Sequence, residues 1–162
     1  MRTIKLIPGL PTKRLVKTIR YHHRHGEASR RALAFYLLDM EQRGEHKSVR
    51  CSSTVQFAVD ALELDPREAR DLLRVARALE DLPEIDHAFA QGEIGWSKLR
   101  EMTRVATAQT EGEWLSFAKK KRAREVELAV SGAKRGQKPP KDNGGLGTPR
   151  VTFAPLRGAT RG

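Results

Sequence analysis

Four arginines, Arg67, Arg70, Arg74 and Arg77, recur at three- and four-residue intervals. At about 100° per residue a helix would gather them within roughly 80° of one another. Guanidinium groups in such a row can donate to phosphates or carboxylates. A second cationic set, Lys119, Lys120, Lys121, Arg122 and Arg124, is almost contiguous and would attract a polyanion without reading its sequence. The remaining group with chemical potential is Tyr21-His22-His23-Arg24-His25. It lacks the i, i+4 histidine pair of a helical zinc site, and no cysteine or carboxylate lies beside it, so these histidines are expected to be solvated. Neither a catalytic residue nor a metal ligand follows from the patterns.

The arginine row needs a helix to carry it, and that helix is the best specified element of the chain. Asp65 can accept from the free N–H groups of a first turn, Pro66 has the φ suited to the first helical position, and Glu68 stands where a capping-box carboxylate reaches back. Ala69, Leu72, Leu73, Ala76 and Leu79 then fall on one face and the arginines on another. Just upstream, Ser53 and Gln56 have the form of a capping box, and Val55, Val59 and Leu62 form an apolar stripe. With only Glu63 and Leu64 before the Asp65 cap, residues 53–80 read as a helix-turn-helix whose second helix bears the arginines. Arg67 with Asp71, and Asp71 with Arg74, also have the spacing of surface ion pairs, so a solvated face is the competing reading.

Further elements follow the same logic. Leu33, Tyr36, Leu37 and Met40 give an amphipathic helix ending at Gly44, in which at least one of Phe35 and Tyr36 packs inward. A helix from Pro83 buries Ile85, Ala88 and Phe89 and stops at a left-handed Gly92. The next places Trp96, Leu99, Met102, Thr103 and Ala106 on one face, with Trp96 as a core anchor rather than a stacking platform. Thr110-Glu111-Gly112-Glu113 opens a last long helix bearing Trp114, Leu115, Phe117 and Ala118, and Val126 to Val130 add a short apolar segment. The expected fold is therefore all-α, with six or seven helices in residues 27–131. A basic N-terminal arm (1–26), holding a short helix over Thr12–Tyr21, and a Gly/Pro/basic tail (132–162), disordered but for a strand-like Val151-Thr152-Phe153, flank it.

Charge is unevenly distributed over the 162 residues, which carry a net +11. Residues 1–31 hold nine Lys and Arg against one acid (+8), residues 32–118 ten against sixteen (−6), and residues 119–162 twelve against three (+9). A polyanion should be drawn first to the ends, and the central arginines must act locally against an acidic background. The single cysteine, Cys51, excludes an internal disulfide and a thiolate zinc set and suits a reducing cytoplasm. No apolar run is long enough to span a bilayer, and Pro8 and Pro11 interrupt the start before it could form a signal-peptide core, so a soluble cytoplasmic protein is expected.

Ser52-Ser53-Thr54-Val55-Gln56-Phe57, Leu64 to Arg70, and Gly92-Glu93-Ile94-Gly95-Trp96-Ser97-Lys98-Leu99-Arg100, taken in that order, resemble the helical N-terminal domain that precedes the nuclease module in bacterial HNH endonuclease-like proteins. Arg30 to Met40, Thr103 to Thr107, Glu113 to Leu115 and Arg124 to Val130 are similar to the same family, so the likeness covers residues 26–131. Leu79 to Pro83 followed by Gly92 to Ile94 is more loosely similar to the helix-turn-helix domain of chromosome-partition proteins. The resemblance implies an HNH centre, with a histidine general base and a divalent metal, in full-length relatives. This chain has no histidine after His87, so no catalytic residue carries over and any metal would belong to the missing module. Truncated gene product, frameshifted remnant and stand-alone module are the readings left open. The resemblance and the arginine row together lead to the expectation of a DNA-associated module without its own catalytic centre, contacting DNA through Arg67, Arg70, Arg74, Arg77 and the Lys119–Arg124 set. The alternative is a protein-interaction or dimerisation module, favoured by the acidic middle, whose ends bind polyanions without specificity.

Overall fold

The computed structural model describes residues 3–26 and 29–141. These form α1 (Thr12–Arg24), α2 (Arg30–Arg43), α3 (Thr54–Leu62), α4 (Pro66–Glu80), α5 (Pro83–Ala90), α6 (Trp96–Met102), α7 (Glu111–Lys120) and α8 (Ala123–Ser131), with no strand among the described residues. The fold is all-α, as expected: α2 to α8 are seven helices within residues 27–131, at the upper expected count, and α1 is the short helix of the N-terminal arm. α7 and α8 are separate because Lys121 and Arg122 are extended (ψ 156° and 159°). The Arg122 amide then donates to the Glu125 carboxylate at 2.7 Å and restarts the helix. Among the described residues no helix is long and apolar enough to cross a membrane.

Local capping fixes the central pair. Ser53 accepts from the Gln56 amide at 3.0 Å and Asp65 from the Arg67 amide at 2.8 Å, each offsetting an otherwise unpartnered first-turn N–H by about 1 kcal/mol. Neither expected capping box closes. Gln56 turns its side chain to Asp60 (2.7 and 2.8 Å), and Glu68 pairs with Arg30 of α2 at 3.5 Å. Between the two helices Glu63 takes a left-handed φ of 56°, with its cap made by the backbone. Gly92, at φ 74°, ends α5 as anticipated, its amide donating to the Phe89 carbonyl. The Thr110 box is likewise absent. The Thr110 hydroxyl accepts from the Thr107 amide, while Glu111 reaches across to accept from the Glu84 and Ile85 amides at 3.1 and 3.2 Å. Glu111 thus caps α5, joining the N-termini of α5 and α7.

The core centres on α4, which packs along α2 and α3 and also meets α5 and α6; α6 in turn packs on α8, and α5 on α7. Leu37, Leu72, Val75, Leu99, Met102 and Trp114 are fully buried in it, and truncating one such Leu to Ala typically costs about 2–5 kcal/mol. Val75 lies off the face inferred for α4, whereas Leu79 on that face is only half-buried. α4 is packed by four helices, α2, α3, α5 and α6, so its buried surface is wider than one apolar stripe.

Part of the expected N-terminal arm belongs to this core. Leu15 and Ile19 of α1 are fully buried, and α1 packs along α2. His22, a turn further along the same face, is 7% exposed and stacks on Tyr36 at 5.7 Å, which corrects the expectation that the histidines are solvated. Burial, and secondarily the nearby His25, lowers its pKa, and its buried Nδ1 has no hydrogen-bond partner. Beyond α8 the described chain returns to the body. The Gly136 amide donates to the Val105 carbonyl at 2.8 Å, the Trp114 indole N–H to the Gln137 carbonyl at 2.8 Å, and Lys138 pairs with Glu113 at 2.9 Å. Residues 142–162, including the strand-like Val151-Thr152-Phe153, lie outside the described residues.

Candidate nucleic-acid interface

The four arginines of α4 divide into two pairs. Arg67 and Arg70, in the first two turns, are exposed, and no carboxylate lies within ion-pair distance of either among the described residues. Arg74 is half-buried and works within the protein. Its Nη2 donates to the Arg100 carbonyl at 2.9 Å and its Nη1 to the Thr103 hydroxyl at 3.3 Å, so it caps the C-terminal end of α6 and places a cation where the helix dipole favours one. Its Nε, 3.6 Å from Asp71, is buried without a hydrogen-bond partner. Burial pushes its pKa down, Asp71 works against this, and nearby Arg104 adds to the lowering. Arg77 turns the other way and pairs with Glu41 of α2. The first two arginines therefore face solvent unpaired, and the last two engage neighbouring helices.

Other arginines complete the surface that Arg67 begins. A cleft of about 500 Å³ is lined by Arg67 of α4, Arg100, Glu101 and Arg104 at the end of α6, Glu127 of α8 and Arg135 beyond it. Glu101 is buried, its side chain 10% exposed, and pairs with Arg100 at 3.4 Å and Arg104 at 3.7 Å. A neighbouring cleft of about 620 Å³ shares Arg67 and Arg100 and adds Arg30 and Trp96, with Asp65, Glu68 and Asp71 balancing its three arginines. There Trp96 is buried as the core anchor expected of it, with the Arg30 guanidinium 5.2 Å from its ring centroid. Sequence reasoning missed Arg30, Arg100, Arg104 and Arg135. The i, i+4 spacing of Arg100 and Arg104, outside the apolar Trp96–Leu99–Met102 positions, was a usable signal. Arg135 carried none, because only the Gly136 and Gln137 backbone contacts bring it back.

The Lys119–Arg124 set lies elsewhere, at the break between α7 and α8, and none of it lines either arginine cleft. Lys119 pairs with Glu93 at 2.7 Å, holding that carboxyl below its usual range, and sits near Glu84 in a shallow hollow between α5 and α7. The Lys121 ammonium stands 5.9 Å from the Phe117 ring centroid. Lys120, Arg122 and Arg124 are exposed. Among the described residues no group of three or more His, Cys, Asp or Glu side chains is arranged to hold a metal ion.

No curated protein and no solved structure matches the chain. A family match does exist, running from Val16 within α1 to Gln137, whose carbonyl receives the Trp114 indole. It takes in α2 to α8 and both arginine clefts. Since residues 16–137 match the family described as Domain of unknown function (DUF222), and these make up well over half of the chain, the protein belongs to that family.

Proposed function

We propose that this chain is a DNA-associated helical module of an HNH endonuclease-like protein, acting beside a nuclease centre that its own residues do not supply. The observation that carries the reading is convergence: Arg67, Arg100 with Arg104, and Arg135 come from three separated stretches of sequence and line one cleft. Arg70 extends the same helix face outward. A solvated surface needs no such gathering, and with Glu101 and Glu127 offsetting two of the four guanidinium charges the cleft still keeps a balance of +2 that an outside anion can answer. Arg67, Arg70 and Arg135 supply the contacts to phosphates. The Lys119–Arg124 set adds diffuse attraction.

Titration of duplex DNA against the full chain at rising salt tests this. Binding should weaken steeply as salt rises, and Arg67→Ala and Arg70→Ala should reduce it. Salt-insensitive or undetectable binding would reduce the arginine face to solvated surface. The acidic balance of residues 32–118 keeps a protein-interaction module as the second reading, and light scattering that finds a firm oligomer indifferent to DNA would favour it.

A further inference from the structure

The cleft between α4, α6 and the segment beyond α8 has a charge and a concavity that suit a particular kind of phosphate. Four arginines and two glutamates line it, a balance of +2, and its other lining residues are uncharged. The charges are not equivalent. Glu101 already engages Arg100 and Arg104 at 3.4 and 3.7 Å, so those three groups form a paired wall with a balance of +1. Arg67, Arg135 and Glu127 remain and add a further +1; the two arginines reach the cleft from different elements, and neither has an ion-pair partner among the described residues. Two unpaired guanidinium groups facing one cleft can each donate a charge-assisted bidentate pair to the same phosphoryl group.

We propose that this cleft seats a phosphate monoester dianion, such as the terminal phosphate of a nucleic-acid strand, in preference to an internal phosphodiester. A monoester carries about −1.5 to −2 at pH 7, with a second pKa of about 6, and so matches the cleft's balance of +2. A diester carries a single charge and leaves half of that balance unanswered. Shape points the same way, because a terminal group can enter a recess of about 500 Å³, while an internal phosphate remains tethered on both sides. Arg74 is a positioning residue for the seat, since its bonds to the Arg100 carbonyl and the Thr103 hydroxyl hold the end of α6 from which Arg100 and Arg104 project. The inference takes from the DNA reading that this face receives phosphates, and adds which kind.

The full chain is titrated with inorganic phosphate and with two versions of one short duplex, ending in 5′-phosphate or 5′-hydroxyl, at pH 7.5 and pH 5.5. The phosphate-ended duplex should bind about tenfold more tightly than the hydroxyl-ended one at pH 7.5, with the advantage shrinking at pH 5.5 as the monoester takes up a proton. Arg67→Ala and Arg135→Ala should each remove most of that advantage, about tenfold per lost charged hydrogen-bond set. Lys47→Ala, exposed in the connection between α2 and α3, should leave it unchanged. Both arginines are exposed, so unaltered helical circular dichroism is expected for their variants.

Equal affinity for the two duplexes overturns the seat while leaving DNA association intact. A preference that survives both arginine substitutions overturns it as well. Failure of the hydroxyl-ended duplex to bind, with inorganic phosphate still bound in an Arg67- and Arg135-dependent way, upholds the seat and removes the DNA reading instead. If neither phosphate nor either duplex binds, both fall.

Discussion

Two regions of the chain are conspicuously cationic in sequence, and the fold treats them in opposite ways. The Lys119–Arg124 run is the denser in charge, yet it lies at a helix break. Lys119 there is partnered by Glu93, and the Lys121 ammonium stands near the Phe117 ring. Arginines on the α4 side are sparser and, within one cleft, come from stretches up to 68 positions apart (67 to 135). Density of charge along a sequence governs long-range attraction. A binding site also needs convergence and rigid support, and only the α4 side has them, through the Arg74 brace and the buried Glu101.

The most forceful way to break this contrast is charge reversal on each side in turn. Arg67→Glu with Arg70→Glu should weaken duplex binding about a hundredfold in low salt, from two lost contacts of roughly 1–3 kcal/mol each. Neither residue has a carboxylate partner to strand, and acids in the first turns of α4 suit its dipole, so stability should hold. Lys120→Glu with Arg124→Glu should cost less than about threefold, as expected for diffuse attraction alone. Fluorescence anisotropy at matched ionic strength measures both, and the reverse order of effects would mean that the run, not the cleft, receives DNA.

Next in size is Arg74→Met, which keeps the apolar stem but leaves the Arg100 carbonyl and the Thr103 hydroxyl without this donor. A loss of about 1–3 kcal/mol in urea unfolding is expected. A neutral substitution would show that the half-buried guanidinium braces nothing.

Much of this contrast was legible in advance, and the illegible part has identifiable causes. The start of α4 could be read because Asp65, Pro66 and the apolar spacing all act within a few residues. Its arginine row was visible for the same reason, but the division of labour within the row was not. Arg74 and Arg77 share a helical face with Arg67 and Arg70, and only tertiary neighbours, the end of α6 and Glu41 of α2, recruit them. The Thr110 capping box fails through the same blindness. The Thr110-x-x-Glu113 spacing promises a local cap, yet Glu113 pairs with Lys138 of the returning chain, and it is Glu111 that finds two free amides on the neighbouring helix. His22 looked like one member of a polar cluster, although its spacing from Leu15 and Ile19 put it on the buried face. Arg135 could not have been found at all, since its placement depends on a backbone return to Val105 and Trp114.

Two smaller effects sharpen the comparison from either side. Glu101→Gln removes the carboxylate that competes for Arg100 and Arg104, so affinity for duplex DNA should rise about threefold; an unchanged affinity would place both arginines outside the contact surface. Lys119→Ala should do least. Its partnership with Glu93 depresses that carboxyl's pKa below the ordinary 4.5, so whatever stability it contributes is present above pH 4.5 and is lost as pH falls through the lowered value. Both groups are nearly half exposed, at 45% and 44%, and solvent and salt screen such a pair. The melting temperatures of wild type and Lys119→Ala should therefore differ at most marginally at pH 7, and any difference should shrink as the pH falls through the lowered value. A clear destabilisation at pH 7 that fades on acidification would mean that the lysine run, like the arginine cleft, is held by a specific structural charge.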